Sequence, residues 1–409
     1  MIILNPVRRL KHRIIGDYIQ FKNQSRFKRK LKLIKSDISN GDMIDHLFLK
    51  ASSFVDSLRV KEKAYGRFLY KKSSRSPILY ASIFAALYKS LVGELESLSI
   101  EERGEWIKYI NSHQCPDGLY RDPLVSNQIA ETEDWWGWRH LTLLALMAVS
   151  ALGGKPKYSL NYLENISNLE KMKFWLDTLN WRERASFTSN TLQNYCAAMQ
   201  YARDFLGEDS LDKNIKELLA LIADRCDPAT GLWGSGISNS QVALSEGVQA
   251  GYHFWLLYWY DGLEIPFPEK VFDSIKKLQN KNSGGFDLIH DYSSACQDID
   301  GLHPLIKLAS DYKRLEGADL ILKKSLPWVI YNYNSDGGAC FRRGESFLYG
   351  HELMSSDADE STIFATWFRS LCLSYMCEFL SDRHQISTSR VFTYLGCPGL
   401  QYSVKTLGV

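Results

Sequence analysis

The chain has 409 residues, of which 45% are hydrophobic and 13% aromatic, with a formal net charge of +2. That apolar content supplies a sizeable core and excludes wholesale disorder. The most apolar run, Leu141 to Leu152, is shorter than the roughly 20 residues a membrane span needs, and Met1 to Val7 is too short for a secretory apolar region.

The N-terminal segment, residues 1–41, is strongly basic. It carries Arg8, Arg9, Lys11, Arg13, Lys22, Arg26, Lys28, Arg29, Lys30, Lys32 and Lys35 against Asp17 in its first 36 residues. Between residues 8 and 35 these charges alternate with Leu10, Ile14, Ile15, Tyr18, Ile19, Phe21, Phe27, Leu31, Leu33 and Ile34. Such a mixture suits a helix lying on an anionic membrane surface, or a helix docked on the body with its basic face in solvent. A nucleic-acid arm is the third use of such a run, and nothing later in the chain supports it. The eight cysteines are scattered singly, without a CxxC pair or metal-ligand spacing. They read as reduced thiols of a cytoplasmic protein, peripheral on the inner face of the membrane if the basic segment engages lipid.

From Asp42 onward apolar residues recur at helical spacing almost throughout. Glycine turns interrupt them at Gly118, Gly231, Gly284, Gly337 and, more weakly, Gly399. The spacing of 50–60 residues, filled by helix, loop and helix, marks stacked helical hairpins. First helices are expected near residues 42, 101, 161, 211, 268 and 317, and their more apolar partners near 76, 134, 188, 242, 296 and 358. One hairpin cannot bury both faces, whereas six in a ring can. Residues 42–409 are therefore expected to form one all-α domain, an (α/α)6 toroid with the second helices inside.

In such a ring every inner helix points its N-terminus at the same mouth, so residues far apart in sequence converge. They are Glu131, Glu133, Asp134, Trp135, Trp136, Trp138, Arg139 and His140; then Asn190, Gln193, Asn194 and Tyr195; then Glu246, Gln249, Tyr252 and His253. Asp298, Asp300 and His303 follow, then Asp357, Asp359 and Glu360. Carboxylates at helix starts are favoured by capping and the helix dipole alone, by about 0.3–1 kcal/mol each. Capping needs one acid per helix, however, and three of these helices carry two or three. Crowded in one cavity, such acids raise one another's pKa values and make a proton donor available. Three Trp within four positions cannot all face one way, so at least one is expected in the cavity, stacked on a sugar ring or steadying a cation. The histidines fit either a general base or a hydrogen-bonded structural role. Arg139 fits either a substrate anion or a pair with Glu133 or Asp134. No metal is implied, although clustered acids leave Mg²⁺ open.

The run Trp106-Ile-Lys-Tyr-Ile-Asn-Ser-His-Gln114 with Asp117-Gly-Leu-Tyr120 resembles the glutamine–tryptophan repeat of squalene–hopene cyclases. Leu278-Gln279 with Gly284-Gly-Phe286, and Gly231-Leu-Trp233, look like degenerate copies. Protein prenyltransferase β subunits share that toroid, but their zinc ligands are not recognisable here. Asp357-Ala-Asp359-Glu360-Ser-Thr362 is similar to the DxDD motif of class II terpenoid cyclases and departs from it at Glu360. The resemblance implies protonation of an isoprenoid or isoprenoid-linked substrate by Asp359, with Asp357 and Glu360 in support and aromatic walls stabilising the cations. The chain is also similar to six-hairpin glycosidases and polysaccharide lyases, whose inner-helix ends present paired carboxylates to sugars. Glu133 or Asp134 with Asp298, Asp300 or Asp359 would serve there, on a cell-surface glycan or its lipid-linked precursor. A non-catalytic scaffold is the third expectation.

Overall fold

A computed structural model describes residues 27–38, 42–166, 168–290, 292–312 and 316–403. The described chain is all-α apart from one two-residue strand pair. Most of the N-terminal segment assigned above to a membrane-surface helix, residues 8–26, lies outside the described residues. Helix α1 covers 27–38. It is followed by α2 (Asp42–Ser57), α3 (Leu79–Leu91), α4 (Ile100–Asn111), α5 (Trp138–Ala151), α6 (Leu169–Thr178) and α7 (Ala185–Leu206). Then come α8 (Asp212–Ala223), α9 (Gln241–Tyr260), α10 (Pro268–Lys277), α11 (Ala295–Asp311), α12 (Ala318–Tyr331) and α13 (Ile363–Ser381). Strands β1 (Phe347–Leu348) and β2 (Ser355–Ser356) pair antiparallel.

Local chemistry sets these boundaries. Ser99 and Glu102 cap α4 reciprocally, and Ser294 and Gln297 do the same for α11. Ser240 caps α9, Thr362 caps α13, and Pro268 occupies the first turn of α10. The odd-numbered helices from α3 to α13 are the more deeply buried ones. All of α3 is buried, whereas α10 buries only Val271, Phe272, Ser274 and Ile275.

The contacts follow one order. Helix α3 touches α5, α5 touches α7, α7 touches α9, α9 touches α11, α11 touches α13, and α13 touches α3. Even-numbered helices pack against neighbouring members of this cycle: α4 against α3 and α5, α8 against α7 and α9, α10 against α9 and α11, and α12 against α11 and α13. The glycine turns lock the even-numbered helices. Gly284 has φ 88°, and a Cβ there would meet the Lys324 carbonyl of α12 at 2.4 Å. Gly337 has φ 91°, and a Cβ there would lie 2.2 Å from the Lys50 carbonyl of α2, joining the last turn to that helix. Both positions need glycine for conformation and for close approach. Gln114 and Gln279 stitch their turns in the same way: Gln114 Nε2 donates to the Gly118 and Tyr158 carbonyls, and Gln279 Nε2 to the Ile321 carbonyl.

The C-terminal segment crosses the far ends of the odd-numbered helices. Thr393 N–H donates to the Leu91 carbonyl, Tyr402 OH donates to the Trp259 carbonyl, and Trp367 Nε1 donates to Gln401. Leu400 is thereby held beneath the helix cycle.

Candidate functional site

A cavity of about 450 Å³ opens among the N-terminal halves of α5, α7, α9, α11 and α13 and reaches Leu400. Aromatic rings make up a third of its lining, among them Trp135, Phe187, Tyr349, Phe364, Trp367 and Phe368. Rings interlock around it, with Phe341 on Phe347 at 3.6 Å between centroids and Tyr349 on Phe364 at 4.7 Å. Phe364, Trp367 and Phe368 follow i, i+3, i+4 spacing, so α13 presents them on one face. Volumes of roughly 300–1,000 Å³ are usual for small-molecule sites.

Among the described residues, two carboxyl groups reach this cavity. Glu246, on α9, accepts a hydrogen bond from Ser186 Oγ at 2.5 Å. Asp300, on α11, is 5% exposed and lines the wall. No hydrogen bond reaches the Asp300 carboxyl among the described residues. Burial first, and the nearby Asp298 charge second, push it well above the usual carboxylate range. Residues 298 and 300 stand about 200° apart around the helix, so only one faces inward. Asp298 turns the other way. It is fully buried, pairs with the Arg369 guanidinium of α13, and accepts from Trp328 Nε1 at 2.8 Å, Ser293 Oγ at 2.6 Å and the Phe286 N–H at 3.0 Å. Arg369 in turn donates to the Ser293 and Phe341 carbonyls.

The histidines divide similarly. His140 and His253 line the cavity; His303 does not. Ser189 Oγ gives its proton to the Ser186 carbonyl at 2.8 Å and lies 2.8 Å from His253 Nδ1. For both contacts to be hydrogen bonds, Nδ1 must carry a proton and donate to Ser189. That tautomer leaves Nε2 of His253 as a lone-pair acceptor. Burial holds His253 down to about 3 and His140 down to about 4, so both rings are neutral around pH 7. His140 Nδ1 and Gln193 Nε2 are buried beside the cavity without a protein partner among the described residues. His303 is held down to about 3 by burial, with Nδ1 3.1 Å from Tyr252 OH and its ring stacked on Tyr375.

One loop residue organises the entrance. The buried Asp287 carboxylate receives the N–H groups of Ile289 and His290, His290 Nδ1 at 2.8 Å and Gln297 Nε2 at 2.8 Å, and Arg342 lies 3.7 Å away. Burial alone would raise this acid, but those donors hold it below the usual range. Ile289, His290, Gln297 and Arg342 all line the cavity.

The residues singled out in the sequence separate accordingly. Trp135, His140, Asn190, Gln193, Glu246, Gln249, Tyr252, His253 and Asp300 line the cavity. Trp136 and Trp138 belong to the core. Asp134 is buried and binds Arg139 through two hydrogen bonds of 2.6 and 3.1 Å, while Asn194 donates to its carbonyl; these residues fix the start of α5. Glu131 is exposed and pairs with Arg121, and Glu133 lies outside the cavity lining.

The expected proton donor stands elsewhere. Helix α13 begins at Ile363, not near 358, so Asp357, Asp359 and Glu360 occupy the preceding loop. Asp359 has φ 63°, is exposed, and turns outward to the Gly344 N–H at 2.7 Å and Arg343 at 3.4 Å. Glu360 meets Lys71 at 2.7 Å and Ser73 at 2.9 Å. Burial would raise its carboxyl, but Lys71, the Asp357 N–H and Ser73 hold it below the usual range. Asp359 and Glu360 line a separate open groove of about 850 Å³ with Lys30, Leu33, Tyr331 and Arg343. Asp357 is exposed on the same loop. Among the described residues, no group of three or more His, Cys, Asp or Glu is placed to hold a metal ion.

Sequence reasoning missed the Asp287 entrance loop and the Arg369 partner of Asp298. Neither carries a local signal, since the Asp298–Arg369 pair joins residues on two different helices. The aromatic stripe of α13 was readable from its spacing alone. No family model matches this chain, and neither does any curated protein.

Proposed function

We propose that the cycle of deeply buried helices and its outer layer form a single (α/α)6 toroid, similar to that of terpenoid cyclases, over residues 42–403. The cavity then performs protonation-initiated chemistry on an isoprenoid or isoprenoid-linked substrate. The observation that carries this reading is Asp300: a carboxyl group without hydrogen bonds among the described residues, buried in the cavity wall and pushed by that burial well above the usual carboxylate range. Such a group is a proton donor at neutral pH.

Asp300 transfers its proton to an alkene carbon and becomes a carboxylate. The resulting carbocation is steadied by the faces of Trp135, Phe364, Trp367 and Phe368. His253 Nε2 accepts a proton from the carbon next to the final cation, forming a new alkene; His253 then releases that proton to solvent, and solvent returns one to Asp300. The acid differs from the Asp359 that the DxDD-like motif implied, because Asp359 faces the outer groove.

A glycan-processing reading retains one specific support. Asp300 and Glu246 supply two carboxyl groups, and Gln193 Nε2 has no hydrogen-bond partner among the described residues, which suits a sugar hydroxyl. Incubation with polyprenyl compounds and with oligosaccharides in D₂O separates the two. The isoprenoid reading expects a cyclised or isomerised product carrying one solvent deuterium at carbon. Glycan turnover alone, or an isoprenoid product free of deuterium, refutes it.

A further inference from the structure

Helix α1 carries Lys28, Arg29, Lys30, Lys32 and Lys35 against Asp37, and all five basic residues are exposed. Its other face is docked. Phe27 and Leu31 are buried, and Phe27 packs edge-on against Tyr292 at 5.2 Å, Tyr331 at 5.1 Å and Trp328 at 6.0 Å. Docking fixes the basic face in orientation and brings it to other lysines. Lys324 of α12 sits below the usual lysine range, first through partial burial and then through the charges of Lys35 and Lys281. The Lys281 side chain is exposed on the turn after α10. Three chain segments therefore gather positive charge in one place.

On the flank of this face Leu33 is 55% exposed, one turn from Arg29 and Lys30 and beside the groove that holds Asp359. An exposed apolar side chain one turn from two basic ones fits the boundary between headgroups and acyl chains, whereas a polynucleotide offers it nothing. The docking also reaches the cavity. Tyr292, which holds Phe27, belongs to the loop whose Ile289 and His290 line the entrance.

We propose that the exposed face of α1, together with Lys281 and Lys324, is a docking surface for an anionic lipid bilayer, set beside the cavity entrance. A lipid-borne substrate would then pass to the entrance loop without crossing open water. The docking stands whether or not Asp300 protonates an isoprenoid, because it is read by binding without turnover.

The test uses the full chain and vesicles of phosphatidylcholine with or without phosphatidylglycerol, in a flotation assay. Lys28→Glu/Lys32→Glu/Lys35→Glu alters α1; Lys281→Glu/Lys324→Glu alters the body; thermal melts establish that both variants fold. Wild type is expected to float with the anionic vesicles only, and to be released by salt. Each variant is expected to lose about tenfold or more in partition. Wild-type binding by the body variant overturns the proposal, since the N-terminal segment alone would then suffice. Equal binding to neutral vesicles, or displacement by RNA at concentrations that leave the vesicles intact, overturns it as well.

Discussion

Asp298 and Asp300 stand two positions apart, yet their environments send them to opposite tasks. Asp298 has Arg369, Trp328, Ser293 and a backbone N–H as partners, and removing its cation strands a buried charge. Arg369→Met is therefore expected to lower stability by about 3–5 kcal/mol, measured by urea denaturation. Asp300 has no such partners among the described residues, so its raised pKa counts against the fold. The folded state keeps a proton that the unfolded chain releases near pH 4, and stability falls as pH rises through that window. His140, His253 and His303 act in the opposite sense: their folded pKa values of about 4, 3 and 3 lie below the unfolded value of roughly 6.5. Their contribution is complete above pH 6.5 and is lost as pH falls toward 4. Above pH 4, up to its raised folded value, the Asp300 slope runs against that of the histidines, and Asp300→Asn is expected to remove it and to raise the melting temperature there. A variant that melts lower, with an unchanged pH slope, would show that Asp300 is held ionised.

At the scale of elements, the glycine turns connect packing to the site. Gly337→Ala places a side chain against the Lys50 carbonyl in a left-handed conformation, and is expected to destabilise by about 2 kcal/mol or more. Gly262, also left-handed with φ 66°, has open space around it, so Gly262→Ala is expected to cost about 1–2 kcal/mol from conformation alone. The difference between their melting temperatures measures the close approach of the outer layer. Asp287 does equivalent work at the entrance: Asp287→Asn is expected to loosen His290 and Arg342 and to raise KM more than it lowers kcat.

At the scale of the whole molecule, much of the helical plan was legible. Starts expected near 101, 211, 242, 268 and 296 meet helices beginning at Ile100, Asp212, Gln241, Pro268 and Ala295. Caps, proline and apolar periodicity are local, so they can be read from a window. The start expected near 358 failed because Thr362, not the acidic run, caps α13. An acidic string looks the same in sequence whether it opens a helix or turns outward in a loop. Asp300, Glu246 and His253 were visible as inner-helix residues, but choosing Asp300 over Asp298 required the Arg369 contact from a distant helix. The floor at Leu400 and the entrance loop were illegible for the same reason: they depend on which segments meet.

The central claim is that Asp300, and not Asp359, delivers the proton. The most direct measurement is turnover of polyprenyl substrates by wild type, Asp300→Asn and Asp359→Asn side by side, each confirmed to be folded. The account predicts that Asp300→Asn loses activity by about 10²-fold or more while Asp359→Asn stays near wild type. Retained turnover in Asp300→Asn, or its loss in Asp359→Asn alone, would contradict it.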